Sequence, residues 1–171
     1  MSFKTFDTER LFIRPTNKDD AQFIFELFNT PNWLKYIGNR NLHSIEDTER
    51  YIEIKMLPQL DRLGYSSYTL IRKEDGEKIG TCGLYDRDGL EGIDIGFAFL
   101  PRFEKQGFAF EASDRILKAA FNDLGLKSVN AITRKDNLSS QKLLEKLGLK
   151  LTGEIMLPNE NEELLHYSIS K

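Results

Sequence analysis

The pattern of apolar and polar positions is clearest between Ile93 and Leu124. Ile93, Ile95, Phe97 and Phe99 alternate with Asp94, Gly96, Ala98 and Leu100, which predicts a strand over 93–100. Pro101 ends it, because proline cannot donate to a ladder. Beyond a short loop the period changes. Ala109, Ala112, Ile116, Leu117, Ala120, Phe121 and Leu124 share one face of a helix, and Gly125 follows where a left-handed cap forms. A strand therefore runs through Gly107 into a helix N-terminus. Such a junction offers unpaired N–H groups and the positive end of a dipole, so anion binding is the first functional expectation. Only Gly107 lies in the loop and Phe108 follows it, which excludes both the P-loop and the three-glycine dinucleotide fingerprint.

The same reading orders the rest of the chain. Strands are predicted at Glu9–Arg14, Tyr65–Arg72, Lys78–Tyr85, Lys127–Thr133, Leu149–Leu157 and Glu163–Ile169. Glu74-Asp75-Gly76 marks a hairpin turn. Asn17, with Asp20 three positions on, caps a first helix to Phe28, and Asn29-Thr30-Pro31-Asn32 breaks it. The next stretch, with Trp33, Tyr36 and Ile37, reads as an aromatic-rich connection that either covers the core or walls a pocket. Ser44 and Asp47 open a second helix, kinked or ended by Pro58 and closed by Gly64. Asn137 caps a last helix that ends at Gly148. Strand 127–133 is too polar to place both faces in a core. The order β-α-α-β-β-β-α-β-α-β-β requires a mixed α/β sheet: about seven mostly antiparallel strands, a central parallel pair and helices on its faces.

Bulk properties narrow the function. At 171 residues the chain is sized for a single domain spanning 1–171, and a net charge of −3 carries no nucleic-acid footprint. No apolar run reaches membrane-span length, and the first residues have no signal-peptide core. Cys82 is the single cysteine, expected to be a small buried hydrophobe, and the two histidines lack metal-ligand spacing. No metal and a reducing cytoplasm are the expectations.

Four blocks, in order, carry a resemblance. They are TERLFIRPTNKDDA (8–21), IGTCGLYD (79–86), IDIGFAFLPRFEKQGFAFEA (93–112) and NLSSQKLLEKLGL (137–149). Together they resemble the GNAT acetyltransferase superfamily, and within it the RimJ/RimL-like branch of ribosomal-protein N-terminal acetyltransferases. The resemblance implies acetyl-coenzyme A as co-substrate and direct acetyl transfer to an amine in a ternary complex. The acceptor would be a protein N-terminus or a small-molecule amine; the other reading is a non-catalytic acyl-CoA-binding module. It also implies splayed central strands, with main chain near Ala98, Phe99 and Leu100 for the pantetheine. Main-chain donors of Lys105, Gln106, Gly107, Phe108 and Ala109 would cradle the pyrophosphate. Asn137 would contact the pantetheine, and Ser140 would donate to the leaving thiolate.

Two residues depart from the family pattern in that cradle. Glu104 stands where Gln or Arg is usual, which is unfavourable beside a pyrophosphate unless its side chain turns away. Lys105 replaces a frequent glycine. Leu144 occupies the position of a tyrosine acid found in many members, which leaves Ser140 as the candidate. Asp94, a lone carboxylate on an apolar strand, is either the general base or a structural group bonded across the sheet. Trp33, Tyr36 and Tyr167 are candidates for the acceptor wall. The acidic loop Asn159–Glu163 is either an attractor for a cationic amine or a solvated turn.

Overall fold

The computed structural model describes residues 3–171. Its centre is a mixed sheet in the order β1-β2-β3-β4-β5-β6-β8-β7. The strands are β1 (Phe6–Asp7), β2 (Leu11–Pro15), β3 (Ser67–Arg72), β4 (Lys78–Tyr85), β5 (Asp94–Phe99), β6 (Ser128–Arg134), β7 (Lys150–Ile155) and β8 (Leu164–Ser170). That is eight strands, one more than the hydrophobic pattern predicts. The addition, β1, is two residues long and pairs Phe6 with Ile13, too short to show any alternation. All pairings are antiparallel except β5 with β6.

Helices cover both faces. Helix α5 (Phe108–Asn122) lies under the face that carries Cys82, whose Sγ sits 3.8 Å from Ser113 Oγ. Cys82 is a free, fully buried thiol, and burial pushes its pKa up to about 12. Helix α6 (Leu138–Lys146) follows β6. The N-terminal helices occupy the opposite face. A 3-10 turn at Lys18–Asp20, with the Asn17/Asp20 capping box, leads into α1 (Ala21–Phe28). Buried Asp20 receives Arg14 at 2.7 Å, Lys78 at 2.8 Å and the Thr69 hydroxyl at 3.0 Å. Burial alone would raise its pKa; those partners outweigh it and bring the carboxyl to about 2.

The aromatic-rich connection is a helix, α2 (Pro31–Tyr36). Thr30 caps it by accepting from Trp33 N–H, and Pro31 takes the first position, where its missing N–H costs nothing. The residues that read as a breaker are thus the start signal of the next helix. The second predicted helix is continuous but irregular: α3 (Ile45–Tyr51), a π segment Ile52–Met56, and α4 (Leu57–Leu63), closed by left-handed Gly64. The wide π turn immediately precedes Pro58, where a regular helix would lack a donor. Strand β6 also departs from expectation. It is central rather than half-exposed, and Asn130 and Thr133 are buried with Val129 and Ala131. Asn130 is tolerated there because its Nδ2 donates to Glu91 O at 2.9 Å.

Candidate functional site

β5 and β6 pair through one register position, Asp94 with Asn130, backed by Asn130 N–H donating to Ile93 O at 2.8 Å. Beyond it the two strands part. The gap opens into a cavity of about 1130 Å³ lined from both strands, from the loop before α5, and from α2.

On β5 the alternation of main-chain direction fixes what faces this gap. Ile93 O points to β6, so the peptide groups of Ile95, Phe97 and Phe99 share that direction, while those of Asp94, Gly96 and Ala98 turn to β4. Of the three residues expected to meet a pantetheine arm, Phe99 alone has main-chain groups aimed into the gap. Leu100 is a correction. Its N–H donates to Ile79 O at 3.0 Å, its carbonyl accepts from Phe103 at 2.9 Å, and it is 1% exposed. Phe97, two residues before Phe99, has its main-chain groups on the same side as those of Phe99.

The loop that follows is a 3-10 turn, Pro101–Phe103, and then two left-handed residues, Lys105 (φ 60°) and Gly107 (φ 84°). Gly107 is the N-cap of α5 and supplies no side-chain cap, so the first N–H groups of a 15-residue helix remain for a ligand. Alternating left-handed residues leading into a helix form an anion nest. Lys105, Gly107, Phe108 and Ala109 line the cavity; Gln106 lies between them, with its carbonyl turned to Arg10 at 3.0 Å. Glu104 turns toward α2, where it accepts from Asn32 Nδ2 at 3.1 Å. Across the gap, Asn137 Oδ1 caps α6 by accepting from Ser140 N–H at 3.2 Å, which leaves the Nδ2 donors for another partner. Asn137 and Ser140 both line the cavity.

The other end of the cavity is built from side chains. Asp94 is 1% exposed, and its Oδ1 accepts from Arg87 Nε at 2.8 Å. Burial pushes the Asp94 carboxyl above its usual range, and Arg87 offsets only part of that. Burial by itself would lower the Arg87 guanidinium, and Asp94 beside it turns the net direction upward. Arg87 also lies 5.6 Å from the Tyr85 ring. That ring lies flat across β4 and β5. A Cβ on Gly83 would meet Tyr85 Oη at 2.5 Å, and one on Gly96 would meet Cε2 at 3.1 Å. Trp33 stacks on Phe28 at 3.7 Å, and both line the cavity with Tyr36. The Trp33 Nε1–H is buried with no acceptor among the described residues.

Tyr167 is not part of this wall. Register pairs it with Ala131 on the face of the sheet opposite Asp94, and it is 1% exposed in the core. Its neighbour His166 lies on the other face, bonded through Nδ1 to Thr152. The acidic loop is largely neutralised: Glu162 pairs with Arg134 at 2.8 Å, and Glu163 approaches Lys135 at 3.5 Å. Among the described residues no cluster of ligating side chains could hold a metal, and no helix is long and apolar enough to cross a membrane.

Arg87 and Tyr85 are candidate-site residues that the hydrophobic pattern does not single out. The signal for Tyr85 was present in Gly83 and Gly96, since glycines inside strands mark a close approach. Arg87 carried none, because its partner is set by how the loop folds over the sheet.

Comparison with known proteins agrees with this geometry. The acetyltransferase (GNAT) domain family matches residues 10–150. YoaA of Bacillus subtilis, described as an uncharacterized N-acetyltransferase, is 29% identical over 152 residues, covering 88% of this chain and 85% of its own. Among solved structures, the ribosomal-protein-S5-alanine acetyltransferase of Vibrio fischeri superposes with a TM-score of 0.79 at 19% identity, covering 98% of this chain and 96% of that one. The spermidine N-acetyltransferase of Vibrio cholerae, solved with CoA and spermine, superposes at 0.78 with 17% identity, covering 95% and 96%. With parted central strands, a main-chain anion nest and a family match across most of its length, this chain belongs to the GNAT acetyltransferase family.

Proposed function

We propose that the chain works as one domain over 1–171 and transfers the acetyl group of acetyl-CoA directly to an amine, within a ternary complex. The observation that carries this reading is that the parted strands, the nest at Lys105–Gly107 and the Asp94–Arg87 pair open into one cavity. The residues present fit the cofactor. The nest suits a pyrophosphate, and strand main chain at Phe97 and Phe99 suits the amides of a pantetheine. When bound, acetyl-CoA supplies an activated acetyl thioester.

In this mechanism the acceptor enters between α2 and the Tyr85–Arg87 side, against Trp33 and Tyr36. Asp94, with a pKa raised by burial, takes the proton that the ammonium must lose before attack. Arg87 keeps that carboxylate oriented. The amine nitrogen bonds to the acetyl carbon, the carbon–sulfur bond breaks, and the proton that the nitrogen sheds passes through the Ser140 hydroxyl, which takes it up as it gives its own to the departing thiolate. Asn137 holds the α6 N-terminus, on which Ser140 sits, and offers Nδ2 to the pantetheine.

The motif blocks support a RimJ/RimL-like setting, and the two solved acetyltransferases named above are a ribosomal-protein-S5-alanine acetyltransferase and a spermidine N-acetyltransferase. For this chain we favour a small-molecule amine or a protein N-terminus. A buried free thiol in a chain with one cysteine accords with a cytoplasmic setting. Acetyl-CoA consumption measured against an amine panel, with N-terminal peptides and polyamines as separate arms, tests the reading. Saturable turnover with any arm supports it. Acetyl-CoA binding without turnover on any arm would overturn the proposed transfer.

A further inference from the structure

The cofactor nest is not self-supporting. Arg10, between β1 and β2, reaches it from behind. Its Nε donates to Glu111 Oε1 at 2.7 Å, its Nη1 donates to Gln106 O at 3.0 Å, and its guanidinium stacks 4.0 Å from the Phe108 ring. Glu111, in the first turn of α5, also accepts from Arg10 N–H at 2.9 Å and from the Thr8 hydroxyl at 2.5 Å. One side chain therefore binds the loop carbonyl, an aromatic at the first helical position and an acid one turn on.

The bond to Gln106 O has a geometric consequence. In a trans peptide the carbonyl and the next N–H point in opposite directions. Fixing Gln106 O on Arg10 behind the loop turns Gly107 N–H away from Arg10, to the side where Gly107 lines the cavity. Lys105 is a left-handed residue with a side chain, so the loop leading into this peptide is held against its ordinary preference and gains from an anchor. Arg10 Nη2 would also lie 3.3 Å from a Cβ at position 107, so the brace fills the space that the glycine leaves.

We propose that Arg10 is a positioning residue for the cofactor: it sets the Gln106–Gly107 peptide so that the nest presents its N–H groups to a pyrophosphate. The inference rests on the reading of the cavity as an acetyl-CoA site. Lysine cannot replace Arg10 fully. An ammonium can reach one of the two acceptors, whereas the guanidinium fork reaches Glu111 and Gln106 O together.

The test is calorimetric binding of CoA to the whole chain, together with turnover of acetyl-CoA and of S-acetylpantetheine, which lacks the pyrophosphate. For Arg10→Gln the expected result is a rise of about tenfold in the CoA Kd and the acetyl-CoA KM. kcat and the acceptor KM should stay within about twofold, and S-acetylpantetheine should be used at the wild-type rate. Arg10→Lys should fall between. Equal loss with both donors would mean a general structural role, and an unchanged CoA Kd would mean the brace is idle; either overturns the proposal. If wild type binds CoA and Arg10→Gln fails to fold, Arg10→Lys carries the test, and wild-type affinity in that variant overturns it. If wild type itself does not bind CoA, the acetyl-CoA site falls first and this inference with it.

Discussion

The two ends of the cavity are made of different material. At the proposed cofactor end most of the groups that face a ligand belong to the main chain: Phe97 and Phe99 on a parted strand, and the peptide groups from Lys105 into α5, with Asn137 and Ser140 adding side chains from across the gap. At the proposed acceptor end they are side chains, with Trp33, Tyr36, Tyr85, Arg87 and Asp94 drawn from one helix, two strands and a loop. Main-chain donors need a backbone conformation and tolerate changes of residue. A side-chain site depends on identities brought together by packing. One end should therefore accept substitutions that keep φ and ψ, and the other should not.

The largest expected effect tests the side-chain end. Asp94→Asn keeps the shape and removes the base, so kcat should fall about a hundredfold while the acetyl-CoA Kd holds. Because burial raises the Asp94 pKa, wild-type kcat should decline as pH falls through a value above the ordinary carboxylate range, and the variant should lack that acid limb. The stability sign runs the other way. A raised folded-state pKa gives a contribution fully present at low pH and lost as pH rises through that value, so Asp94→Asn should flatten the dependence of melting temperature on pH. A wild-type kcat in the variant would make Asp94 purely structural. Next in size is Gly107→Val. A β-branched residue at φ 84°, with a Cβ 3.3 Å from Arg10, should weaken CoA binding roughly tenfold or more. The acceptor KM should not move.

The same contrast explains what could be read from the amino-acid order. The strand–loop–helix junction was legible because a strand, a glycine and an amphipathic helix are contiguous, so periodicity places a helix N-terminus just after Gly107. The parallel pair followed from the crossover between 93–100 and 127–133. What the order hid depends on residues distant in the chain. Arg87 acquires its role only when its loop folds back over Asp94, and Tyr167 loses its role because pairing with Ala131 puts it on the far face. Trp33 and Tyr36 sat in a stretch that looked broken, since Thr30-Pro31 reads equally as the end of one helix and the start of the next. Glu104 was legible as a departure. Its escape route toward Asn32 was not, because that contact spans 72 positions.

Glu104 sharpens the comparison from the cofactor side. Its carboxylate faces α2 but still lines the cavity, so some repulsion of a bound pyrophosphate remains. Glu104→Gln keeps a carbonyl for Asn32 and removes the charge. The expected change is about threefold tighter CoA binding at low salt, shrinking toward none as ionic strength rises. Weaker binding in that variant would mean that the link to α2 matters more than the charge.

The smallest expected effect is the most direct check on main-chain recognition. Lys105 is exposed and left-handed at φ 60°. Lys105→Gly relieves a backbone penalty of roughly 1–2 kcal/mol and gives up an exposed cation beside the anion site, which is worth roughly 0–1 kcal/mol. Glycine also gives the unliganded loop more conformational freedom, which binding must take away and which offsets part of the first gain. The opposing contributions leave CoA affinity within about threefold of wild type at moderate salt. Salt separates them. The cation's share is screened at high ionic strength and the backbone's share is not. The variant should therefore rank below wild type in dilute buffer and equal or above it near 0.5 M salt, a crossover that calorimetry at two salt concentrations can read. A tenfold loss that persists at high salt would mean that the lysine side chain builds the cofactor end, and the division between the two ends would fail.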